Sequence, residues 1–87
     1  MSPLTYAAEL GHLSLVKYLC EYGADKEAGN NYNRTALHHA AESGQLSVVE
    51  YLCSQEANKE ARDNHGETPL NLARSSAVRK CLGEERQ

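Results

Sequence analysis

The chain overlays on itself when shifted by 33 residues, and this repetition limits the available folds more than any other feature of the sequence. Sixteen positions between 2 and 34 return unchanged one period later, among them Leu4/Leu37, Ala7/Ala40, Ala8/Ala41, Gly11/Gly44, Leu13/Leu46, Val16/Val49, Leu19/Leu52 and Cys20/Cys53. A third copy opens at Thr68 as TPLNLA, loses three or four residues near Ser75 and Ser76, and closes with AVRKCL and a charged tail at 84–87. The units divide as 2–34, 35–67 and 68–87, and together they are expected to form a single domain.

Inside a unit the apolar spacing is helical. Leu37, Ala40 and Ala41 follow Thr35 at i, i+3, i+4, and Gly44 is placed to end that helix in the left-handed conformation. Leu46, Val49, Leu52 and Cys53 mark the face of a second helix. The stretch from Gln55 to Glu67 is rich in turn formers (Asn58, Asp63, Asn64, Gly66) and shows no apolar alternation. Helices of eight to ten residues are too short to stand alone in water. A helix–turn–helix unit therefore buries its apolar stripe only against its neighbours, which is the logic of a solenoid.

Composition removes several function classes. Net charge is −3 with both signs interspersed, so no basic face suggests nucleic-acid or anionic-membrane binding. No stretch is apolar for long enough to span a bilayer, and no segment reads as a signal peptide. Cys20, Cys53 and Cys81 are odd in number, lack C-x-x-C spacing and sit in apolar runs. They are expected to be reduced packing residues of a reducing, cytoplasmic compartment, with the nucleus also compatible. His12, His38, His39 and His65 have no metal-ligand spacing, and the glycines form no phosphate-binding cluster. No catalytic residue, cofactor or metal is expected.

The strings TALHHAAESGQLSVVEYL and EANKEARDNHGETPL resemble the ankyrin repeat in both period and T-P-L-H-x-A signature. Ser2 and Thr5 stand in the Thr and His places of the first copy, and Asn71 in the His place of the third. The resemblance covers residues 2 to about 82 and implies an all-α ankyrin-repeat solenoid whose units are joined by extended β-hairpin-like turns. Thr35 is expected to cap its helix, His38 to bond back toward the turn, and Pro3 and Pro69 to occupy first helical positions. Asn33 replaces the turn glycine found at Gly66, and a positive φ is expected there. Tyr18 and Tyr51 are expected to be half-buried with wet hydroxyls, and Lys26 and Lys59 to lay their stems over the stack. Arg74 stands where the other copies carry Ala8 and Ala41, so the third unit reads as a cap. The apolar Leu4, Tyr6 and Leu10 suggest an array that extends upstream of Met1. Family members often carry a hydroxylatable asparagine in the long turn; Glu27 and Glu60 fill that place here.

The resemblance implies a non-catalytic protein-binding module, monomeric, gripping another protein through its turn tips and inner helix face. The alternatives are a stoichiometric inhibitor of one enzyme and an architectural spacer within a longer protein. Positions that differ between the copies locate the candidate contacts: Tyr6, Leu10, Tyr32, Arg34, His39, Ser43, Arg62, His65 and Glu67. Aromatic and Arg side chains dominate binding energy where they lose water, which favours Tyr32, Arg34, His39, Arg62 and His65.

Overall fold

The computed structural model describes residues 2–83. The charged tail at 84–87 lies outside the described residues. Among the described residues six helices follow one another: α1 (Pro3–Leu10), α2 (Leu13–Glu21), α3 (Ala36–Ser43), α4 (Leu46–Ser54), α5 (Pro69–Leu72) and α6 (Ser76–Cys81). α1 packs on α2 and α3 on α4, while α1, α3 and α5 lie side by side in an inner layer and α2, α4 and α6 in an outer one. The described residues contain no strand, and the fold is the all-α solenoid expected.

Local chemistry explains each boundary. Ser2, Thr35 and Thr68 have extended backbones, and each accepts a backbone N–H three residues on, from Thr5, His38 and Asn71. Pro3 and Pro69 sit in the first turns of their helices, where no N–H is required. Gly11 and Gly44 end α1 and α3 at φ 77° and 73°, a conformation that penalises a Cβ. The shortened third unit shows its loss in α5, which has four residues against eight in α1 and α3. Two carbonyls at its end find a side-chain donor, because Arg79 Nη1 donates to Leu70 O and Ala73 O at 3.2 and 2.9 Å.

The core follows the small residues. Ala7, Ala8, Ala40 and Ala41 are completely buried, which lets α1 and α3 pack closely. Val16, Val49, Leu52 and Val78 carry the same seam through the outer layer, with Leu13 and Leu46 packed against it. Val48, absent from the expected stripe, is fully buried, whereas Leu46 and Cys53 are only half-buried. Its counterpart one period earlier, Leu15, is 44% exposed, so Val48 owes its burial to the hairpin ahead of it. The same contrast corrects the reading of Tyr18. It is exposed and stacks on Tyr22 with centroids 4.5 Å apart, while Tyr51 is part-covered by the Lys17 ammonium at 5.7 Å. Lys26 is half-buried and Lys59 exposed. Cys20, Cys53 and Cys81 are half-buried free thiols, and burial, the largest cause, pushes Cys53 up to about 11, with Cys81 beside it adding to the rise.

Candidate functional site

The two long turns end in tips at residues 30–34 and 63–67, and one side chain braces each. In the first, Asn30 Oδ1 accepts Tyr32 N at 2.8 Å and Arg34 N at 3.1 Å, while Asn30 N donates to Arg34 O. In the second, Asp63 Oδ1 accepts His65 N at 2.8 Å and Glu67 N at 2.9 Å, while Asp63 N donates to Glu67 O. Both are Asx-type turns that satisfy the backbone without strands. Asn33 and Gly66 supply the positive φ of 60° and 75° that each tip needs. The tips are also tied to each other: Asn64 N donates to Tyr32 O at 2.8 Å, and Asn33 Nδ2 to Asn64 Oδ1 at 2.8 Å. Lower in the turns, Glu27 Oε2 accepts Asn58 N at 3.0 Å.

Between tips and helices lies an ionic cluster. Arg34 Nε donates to Asp63 Oδ2 at 3.0 Å, Nη1 to Glu42 Oε1 at 3.3 Å, and Nη2 lies 3.8 Å from Glu67 Oε1. The Asp63 side chain is fully enclosed. The Glu67 N–H first, then Arg34 and the His65 N–H, hold its carboxyl down at about 2 against the opposing effect of desolvation. The hydrogen bond to Asp63 raises Arg34 above its already high value. His38 completes the frame: its Nδ1 accepts Thr35 N at 3.1 Å, leaving Nε2–H to donate to Glu67 O at 2.8 Å. One imidazole thus closes the capping box of α3 and anchors the next tip.

The expected contact residues separate on this frame. Tyr32, Arg62 and His65 stand exposed at the tips; Tyr6, Leu10 and Ser43 are exposed on the inner helices. Arg34 and Glu67 are half-buried in the ionic cluster. His39 is 8% exposed, with Nε2 3.1 Å from Asn30 Nδ2. Asn30, Asp63 and Glu42 were missing from the expected set. Only the Asn/Asp pairing at equivalent positions hinted at two of them, since both residue types brace turns. Among the described residues no group of His, Cys, Asp or Glu side chains is arranged to hold a metal, and no helix is long and apolar enough to cross a membrane.

A stack of capped helical hairpins with braced, mutually bonded tips is matched by one family profile, ankyrin repeats, in three copies over residues 1–63 and 32–82. The chain belongs to the ankyrin-repeat family. No curated protein matches it. Ankyrin repeats are in general protein-interaction modules and typically non-catalytic. For this ankyrin chain, every large hydrophobic residue exposed among the described residues belongs to the first hairpin or its tip: Tyr6, Leu10, Leu15, Tyr18, Tyr22 and Tyr32.

Proposed function

We propose that the chain is a non-catalytic module that binds another protein as a monomer, with Tyr6, Leu10, Tyr32, Ser43, Arg62 and His65 touching the partner. Arg34, His39 and Glu67 act one layer below, holding the tips in place. The observation that carries this reading is the pairing of exposure with rigidity. Tyr32 is 59% exposed and Tyr6 58%, yet the backbone around Tyr32 is held by bonds to Asn30 and Asn64. An aromatic side chain carried on a preorganised backbone leaves less backbone entropy to be lost on docking, so more of its contact energy appears as affinity. The three half-buried free thiols support a reducing intracellular setting.

The test has two stages. Immobilised chain captures proteins from lysate of the source cells, and a captured protein is then purified and titrated against it. The triple replacement Tyr6→Ala, Tyr32→Ala, His65→Ala should weaken binding at least tenfold while far-UV circular dichroism stays the same. An unchanged Kd would remove this surface from consideration.

A further inference from the structure

The two tips use different chemistry for the same brace, and the difference makes one of them sensitive to protons. Asn30 Oδ1 is committed to two backbone donors, Tyr32 N and Arg34 N. That commitment turns the Nδ2 amide toward His39, 3.1 Å from Nε2. An amide NH₂ only donates, so His39 Nε2 must accept and the ring proton must sit on Nδ1. Nδ1 faces Glu9 Oε1 at 4.0 Å. A second proton on His39 would set an N–H against the Asn30 NH₂. The amide could then remain only by turning its oxygen to the ring and releasing Tyr32 N and Arg34 N.

The groups facing His39 are Glu9 from α1, Arg34 from the tip, and Glu42 and His38 from α3. Burial of the ring, opposed by Glu9 and Glu42 and helped by Arg34 and His38, holds His39 below the ordinary histidine value. The second tip lacks this dependence. Asp63 takes the place of Asn30, with its carboxyl near 2, and Leu72 stands one period after His39.

We infer that His39 is a proton-operated latch on the first tip: neutral, it accepts from Asn30 and keeps Tyr32 in place; protonated at Nε2, with Nδ1 still facing Glu9, it sets an N–H against the Asn30 amide and frees the tip. Control of partner binding by the latch rests on the proposed function above; the latch itself does not.

The test is made on the chain alone, so a wrong binding surface would not disturb it. Amide hydrogen exchange, corrected for intrinsic rates, is followed from pH 7.5 to 5, with the His65 and Glu67 amides as internal reference. Protection at Tyr32 and Arg34 should fall at least tenfold relative to that reference. His39→Gln keeps an acceptor for Asn30 but does not titrate, and should remove the fall. Asn30→Asp presents a carboxylate to the ring, should raise the His39 titration seen by NMR above the ordinary histidine value, and should keep the tip protected at pH 5. The inference is overturned if Tyr32 and Arg34 track the reference amides, if His39→Gln loses protection as the parent does, or if Asn30→Asp leaves the titration where it was.

Discussion

His38 offers the sharpest test of how neighbouring units are joined, because its two ring nitrogens do separate jobs. Replacing it with Ala removes the acceptor for the buried Thr35 N–H, the donor to Glu67 O, and a fully buried ring. Each group left unpaired costs about 1–3 kcal/mol and the cavity adds to this, so a total near 3–5 kcal/mol is expected. A small domain has only about 5–15 kcal/mol of stability, so His38→Ala should stand close to unfolding. His38→Asn is the informative partner. The third unit already uses this residue: Asn71 Oδ1 accepts Thr68 N at 2.9 Å. An Asn at 38 should therefore keep the capping box and lose only the reach to Glu67 O. It should cost roughly 1–2 kcal/mol, the value of one hydrogen bond and some lost packing. Urea unfolding followed at 222 nm measures both variants, with the slope m checking that two-state behaviour survives. If His38→Asn costs as much as His38→Ala, the box to Thr35 contributes nothing and the assignment of roles to the two nitrogens is wrong.

Two further outcomes follow from the same frame. Asp63 has a carboxyl held near 2, below its ordinary value of 3.8. Its stabilisation is therefore complete above the unfolded value and is lost as pH falls from about 4 toward 2, so the Tm of Asp63→Asn should show a shallower acid decline than the parent over that window. Placing a second copy of residues 35–67 directly ahead of Ser2 should cover Tyr6 and Leu15, since their counterparts His39 and Val48 are 8% and 0% exposed beneath the hairpin before them. Thermal unfolding should show a higher Tm, and a Tm that stays level or falls would refute the equivalence of the two faces.

The helices were legible in the sequence because their signals are local and redundant. Thr35, Gly44 and the stripe Leu37, Ala40, Ala41 each point to α3 independently, and its cap, packing and end agree. What could not be read was burial created by a neighbouring hairpin. Tyr18 and Tyr51 are identical residues at equivalent positions, yet one is exposed and the other half-covered, because among the described residues Tyr51 lies against the preceding unit through α2 and Lys17. The same holds for Leu15 and Val48. Lys17 over Tyr51 and Gln45 Nε2 donating to Glu9 O join residues from different units, and no pattern within one unit encodes such pairs.

The tips show why a stack built by repetition is not repeated there. Equivalent positions of adjacent units lie beside each other, as Arg34 and Glu67 do at 3.8 Å. Keeping the same charged residue at both would put like charges in contact across the interface, which costs energy, whereas opposite signs attract. Arg34 must in turn be answered by the enclosed Asp63 carboxylate, and a carboxylate at position 63 can take the guanidinium while still bracing its own tip. At position 30 an amide suffices, because the ring presented there is neutral His39 rather than a cation. Divergence between the copies at 30/63 and 34/67 is thus a set of linked internal solutions, with each residue matched to what lies beside it. This separates the candidate contacts into two kinds. Tyr32, Arg62 and His65 differ in side chains exposed to solvent, with Arg62 Nη1 donating to Gly66 O at 2.8 Å, while Arg34, His39 and Glu67 differ where they meet neighbouring groups of the fold.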